Sequence, residues 1–83
     1  MVNNLKKSVV STFGTSIKNV SDLKGLKTDI YRSTTKELGF NTLRRLFGFL
    51  PYTKPNNNTL NILSNYVGYA SYIVYKKKFK LDG

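Results

Sequence analysis

The sequence predicts an all-α domain, a small bundle of about five short helices. Two observations carry this expectation. Apolar residues recur at three- and four-residue spacings along most of the chain. Gly, Pro, Ser and Asn fall between those stretches, where helices start and stop. No stretch makes a convincing strand, although "SYIVYKKKFK" (71–80) is rich in β-branched and aromatic residues and has strand pairing as its alternative.

Leu5, Val9, Phe13 and Ile17 recur every four residues with Val10 beside them, which predicts a first helix of about four turns. Gly14 weakens it, and Asn19–Val20–Ser21 ends it. Ser21 is placed to cap a second helix, with Asp22 favourable near its positive N-terminus. Leu23, Leu26 and Ile30 form the buried face of that helix, Tyr31 flanks it, and Gly25 is an irregularity inside it. "RSTTKELG" (32–39) reads as a polar connector, because Ser33, Thr34 and Thr35 favour turns and caps over helix interiors. Leu38 points inward from it.

Gly39 precedes a third helix, from about Phe40 to Phe47, in which Leu43, Leu46 and Phe47 share one face. Gly48 suits the left-handed residue past its end. "FLPYTKPNNN" (49–58) is a loop. Pro55 and Asn56 then start a fourth helix with an Asn cap. Leu60, Leu63 and Val67 share a face of it, Ile62 and Tyr66 lie beside them, and Gly68 closes it. Ser71 caps a fifth helix containing Tyr72, Ile73, Val74 and Tyr75, followed by the run Lys76, Lys77, Lys78, Phe79, Lys80.

A chain of 83 residues makes one domain with a single small core and marginal stability. It carries 14 Lys+Arg against 4 Asp+Glu, a net charge of +10. Such an imbalance costs self-repulsion and is most often tolerated when the partner is a polyanion. Nucleic acid and an acidic membrane surface are the candidates, and a basic domain with no such partner is the plain alternative.

The absence of Cys and His removes thiol catalysis, imidazole acid/base chemistry, zinc fingers and disulfides. Asp22, Asp29, Glu37 and Asp82 are dispersed, which argues against a paired-carboxylate site or a magnesium cluster. No glycine-rich phosphate loop appears. No enzymatic activity, cofactor or metal is expected. The N-terminus "MVNNLKKSVV" is not a signal peptide, and no stretch approaches the roughly 18 apolar residues of a membrane span. The expectation is a cytoplasmic, nucleoid-associated protein without a membrane partner. The chain stops at "KLDG" as the head of a longer architecture would.

The stretch from Lys36 to Tyr69 resembles the second half of a lambda-repressor/Cro-like helix-turn-helix domain. In that pattern a recognition helix is followed by a loop containing Pro and a further helix. "NTLRRLFGF" (41–49) stands at the recognition helix, and "KPNNNTLNILSNYVGY" (54–69) at the loop and next helix. Pro55, Thr59, Leu60, Leu63 and Gly68 occupy matching places. The likeness is closer to a Bacteroidetes-type variant, which Thr42, Leu43, Arg45, Phe47, Gly48, Phe49, Asn61, Tyr66, Tyr69 and Ser71 also fit, with Tyr72 where Trp is usual. It extends over residues 20–78. Gly25 and the long connector 32–39 depart from the pattern. The resemblance implies one helix-turn-helix domain over 1–83, with an N-terminal helix (1–19), a core (20–70) and a basic C-terminal helix or tail (71–83). Its expected function is sequence-specific duplex DNA binding through a recognition helix at about 40–47, in transcription regulation.

On a helix at 100° per residue, Asn41 and Arg45 lie almost opposite Leu43, Leu46 and Phe47, with Arg44 to one side. Arg reads guanine through two parallel hydrogen bonds, and Asn does the same for adenine. Recognition helices present their N-terminal residues to base edges. Asn41, Thr42 and Arg45 are therefore the expected base readers. Arg44, Lys36, Lys54, Tyr52, Lys76 and Lys77 are the expected phosphate side of the interface, and Thr42 suits either role. Taken alone, two adjacent arginines on a short helix are an ordinary solvated face, and the C-terminal lysines an ordinary solubilising tail. Phe47, Phe49 and Tyr52 could stack on single-stranded bases, with core packing the better reading for the two phenylalanines and exposure for Tyr52.

The expected partners are duplex DNA, a larger nucleoprotein or transcription complex, and a second copy of the chain. Two further readings stand beside this one. The chain could be a small basic subunit that clamps RNA or DNA without reading sequence, or an adaptor whose third helix docks on an acidic protein.

Overall fold

Five helices follow one another in the computed structural model, which describes residues 2–79. They are α1 (Val2–Phe13), α2 (Val20–Thr34), α3 (Phe40–Leu46), α4 (Asn57–Tyr66) and α5 (Tyr72–Phe79). The fold is all-α, and no strand occurs among the described residues. The stretch from Ser71 onward takes its helical option: the Ser71 hydroxyl accepts from the Val74 amide at 3.3 Å, and the Tyr72 amide donates to Asn61 Oδ1 at 2.8 Å. Lys80 and the residues after it lie outside the described part.

Several boundaries differ from the sequence expectation, first at the end of α1 and the start of α2. The four-residue apolar spacing carried the first helix to Ile17, but α1 stops at Phe13. Gly14 adopts φ +83° and sends its amide back to the Val10 carbonyl at 2.9 Å, a helix ending that a residue without Cβ adopts at no steric cost. Ile17 still packs against the core, from the connector rather than from the helix. The cap of α2 is Asn19, not Ser21. Asn19 Oδ1 accepts the Asp22 amide at 3.0 Å while Asp22 Oδ2 accepts the Asn19 and Lys18 amides at 3.1 and 2.8 Å. This reciprocal pair satisfies donors that a cap at Ser21 would leave open.

The connector after α2 is shorter than "RSTTKELG" suggested. Arg32, Ser33 and Thr34 stay helical. The Thr34 hydroxyl donates back to the Ile30 carbonyl at 2.8 Å, a bond that lets a polar residue end a helix from within it. Thr35, at φ 59°, turns the chain. Leu38 is buried in the remaining link. Gly25, the irregularity in α2, lies against Phe13: a Cβ there would come within 3.3 Å of Phe13 Cζ.

α3 ends one residue earlier than expected, with Phe47 as its C-cap. Gly48 takes φ +86°, and the Phe49 and Leu50 amides both return to the Arg44 carbonyl, at 2.8 and 3.2 Å. Asn56 caps α4, its side chain accepting the Thr59 amide at 2.8 Å. α4 closes with the Tyr69 amide on the Ser64 carbonyl at 2.9 Å.

One apolar cluster draws on every helix: Leu5 and Val9 from α1, Leu23, Leu26 and Ile30 from α2, Leu43 and Leu46 from α3, Leu60, Ile62, Leu63 and Tyr66 from α4, and Tyr75 from α5. α4 is the hub, packing against α1, α2 and α5, while α3 leans on α2. Tyr75 is fully buried, its hydroxyl 2.9 Å from Ser8 Oγ and its ring stacked on Tyr72 with Tyr69 edge-on. Tyr66 spans from α4 to α2 and donates a short hydrogen bond to Asp29. Among the described residues, no helix is long and apolar enough to cross a membrane.

Two outcomes follow. Leu46→Ala opens a cavity under α3 and should cost about 2–5 kcal/mol, measured by urea or thermal unfolding. Burial, then the hydrogen bond to Asp29 and its charge, push the Tyr66 hydroxyl pKa well above its ordinary value. The folded chain therefore keeps a proton that the unfolded chain releases. That contribution is complete below the ordinary tyrosine pKa of about 10 and is lost as pH rises beyond it. Tyr66→Phe should lower stability by about 1–2 kcal/mol near neutrality and lose less than wild type between neutral and strongly alkaline pH. Unfolding curves over that pH range check both.

Candidate nucleic-acid interface

The two buried leucines of α3 decide where its other side chains go. Leu43 and Leu46 are inside, so Asn41 and Arg45 emerge exposed on the far side, as the helical geometry requires. Phe47 and Phe49 are half-buried against the core, which makes them packing residues. Tyr52 is 56% exposed.

Arg44 is half-buried beside the exposed face. Its guanidinium lies 5.6 Å from the Phe40 ring centroid, and Nη1 donates to Asn41 Oδ1 at 3.2 Å. A guanidinium has only donors, so this contact turns the Asn41 carbonyl oxygen toward Arg44 and its NH2 group outward. Among the described residues Arg44 Nε is buried without an acceptor. A buried donor left unmet costs about 1–3 kcal/mol, which weakens the hold of this resting position against an incoming acceptor.

Arg45 faces the other way. With Thr42 from the same helix and Thr53, Lys54, Pro55 and Asn56 from the loop, it lines a polar pocket of about 110 Å³. The pocket lies at the start of α4, where the helix dipole adds positive potential. Thr42, Arg45 and Lys54, three residues singled out from the sequence, are thus brought together. The loop reaches this place because Pro55 leads into the Asn56 cap.

The remaining cations do not join that pocket. Lys36 donates to Asn65 Oδ1 at 3.3 Å. Asn65 and Asn56 stand at opposite ends of α4, about 14 Å apart along its axis, so Lys36 and Lys54 do not meet. Lys76 lies 5.2 Å over the Tyr72 ring. Burial, then Tyr75, then Tyr52 raise the Tyr72 pKa above the ordinary tyrosine value. Tyr72 and Lys76 therefore form a second group, with Lys77 exposed on the same helix.

Among the described residues the acidic side chains are engaged by the fold itself. Asp22 closes the start of α2, Asp29 receives the Tyr66 hydroxyl, and Glu37 pairs with Lys27 at 3.0 Å, the one ion pair among the described residues. Arg44, Arg45 and Lys54 have no carboxylate partner there. The described residues hold no group of three acidic side chains that could share a metal ion. Sequence reading missed Thr53 and Asn56 as pocket walls. Asn56 was legible as a cap, but only the folded loop shows which side chains it faces.

Comparison of the chain with protein-family models, curated proteins and solved structures finds no match.

Asn56→Ala should cost about 1 kcal/mol by removing the α4 cap. Amide hydrogen exchange should speed up at Thr59 more than at Leu63, deeper in the same helix.

Proposed function

We propose that the chain binds duplex DNA as a helix-turn-helix protein resembling the lambda-repressor/Cro type, with α3 entering the major groove, and that it serves transcription regulation. The convergence of Thr42, Arg45 and Lys54 on one polar pocket, free of carboxylates among the described residues, is the observation that carries this reading. Arg45 reaches a base edge from the exposed side of α3, and guanine is the base whose two acceptors suit a guanidinium. Thr42 and the outward NH2 of Asn41 supply further contacts. Lys54 holds a phosphate on one flank and Lys36 on the other. Arg44 swings from Asn41 to a phosphate oxygen, and Tyr52, Lys76 and Lys77 extend the contact along the backbone.

A second reading, a basic subunit that clamps RNA or DNA without readout, draws support from the shortness of α3, seven residues, and from the tie between Arg44 and Asn41. The two readings make different demands on Arg45. As a base reader, Arg45→Ala costs about 1–3 kcal/mol on the preferred duplex and relaxes preference at one base pair only. Lys54→Ala weakens all duplexes alike and lowers the salt slope by about one. Wild type, neutralising about five phosphates, should show a log–log slope of roughly −4 to −5. Affinities measured on the preferred site, its single-base variants and random duplex, over a salt series, decide the matter. Equal loss on every sequence in Arg45→Ala supports the clamp, and a slope near zero removes nucleic acid as the partner.

A further inference from the structure

A groove of about 530 Å³ runs along α1, on a part of the surface that the proposed DNA contacts do not use. Asn3, Lys6, Lys7, Val10 and Ser11 recur at i, i+3, i+4, i+7 and i+8 and form one wall. Ile17, from the connector after α1, and Phe47, at the end of α3, form the other. Val10, Ile17 and Phe47 are each half-buried and make an apolar floor. Lys6 lies with its ammonium 5.5 Å from the Phe47 ring centroid, and Lys7 is exposed at the rim. No lining residue is acidic.

We propose that this groove docks an acidic amphipathic helix of a partner protein. The floor asks for apolar side chains on one face of the occupant, and the lysine rim asks for carboxylates beside them. A helix laid along α1 offers both, in the i, i+3, i+4, i+7 pattern of helix-in-groove recognition. α1 is 12 residues long, about 18 Å, which matches a guest of about three turns. A second copy of the chain is a poor occupant. It would bring Lys6 and Lys7 against another surface of a molecule with a net charge of +10. Nucleic acid would satisfy the lysines, but its sugar–phosphate backbone has no aliphatic face to cover Val10 and Ile17. The inference stands apart from the DNA reading, because Arg45 and Lys54 are not part of this groove.

The test uses the full chain and a fluorescein-labelled synthetic peptide about 15 residues long, with leucines on one helical face and glutamates elsewhere. A control peptide of the same composition spreads its leucines around the helix. Fluorescence anisotropy at about 0.15 M salt measures both. The amphipathic peptide should bind about tenfold tighter than the control, a difference that net charge alone does not produce. Lys6→Glu combined with Lys7→Glu should weaken both peptides. Val10→Asn should abolish the preference between them, and Ser11→Glu, an exposed rim change that leaves the core alone, should weaken both peptides. Thermal melts by circular dichroism confirm that each variant is folded. Arg45→Ala should leave the peptide preference intact whatever it does to DNA. Equal binding of the two peptides, a preference that survives Val10→Asn, undiminished binding in Ser11→Glu, or sedimentation showing that copies of the chain occupy the groove would overturn the proposal.

Discussion

A helix of seven residues has too few internal hydrogen bonds to form alone in water, so α3 exists because the bundle holds it. Leu43 and Leu46 reach the core, Phe40 and Phe47 pack beside them, and the Phe49 and Leu50 amides fold back onto the Arg44 carbonyl. These contacts set the rotation of α3 about its axis. With the leucines inside, Asn41 and Arg45 have only the outside to go to. The same closing turn starts the loop that brings Lys54 to Arg45 and delivers Asn56 to cap α4. The exposed face of α3 is thus a consequence of the core packing beneath it.

Charge is the second organising constraint. Among the described residues the three carboxylates are engaged within the fold: Asp22 at the junction of α1 and α2, Asp29 between α2 and α4, Glu37 against Lys27. Each is removed from the task of neutralising α3 or the α1 groove. The stability of so small a bundle then rests on apolar burial working against self-repulsion. A bound polyanion relieves that repulsion, so binding and folding stability rise together.

Much of this was legible in the sequence, and the parts that were not share a physical reason. The buried faces of α2 and α4 followed from three- and four-residue spacing, and the ends of α3 and α4 from Gly48, Asn56 and Gly68. Ile17 misled because spacing alone does not separate a residue that continues a helix from one that returns to the same core through a connector. At "NVSD", two residues could cap α2, and the reciprocal bonds between Asn19 and Asp22 select the first. Thr34 reads as a turn residue until its hydroxyl is seen bonded back to Ile30. In the candidate site, the outward direction of Asn41 and Arg45 was legible from helical geometry. The meeting of Arg45 with Lys54 depends on how a proline-bounded loop folds, which no periodicity encodes. The α1 groove is not legible from spacing, because Val10 reads as part of the apolar stripe of that helix yet stays half-outside the core.

Whether the exposed face of α3 reads DNA sequence is decided by selection from a random duplex library with the full chain. At about 0.15 M salt, readout through α3 should enrich a defined site bound roughly a thousandfold or more above random duplex. A library that emerges from selection without a preferred sequence, bound no better than the starting pool, would contradict it.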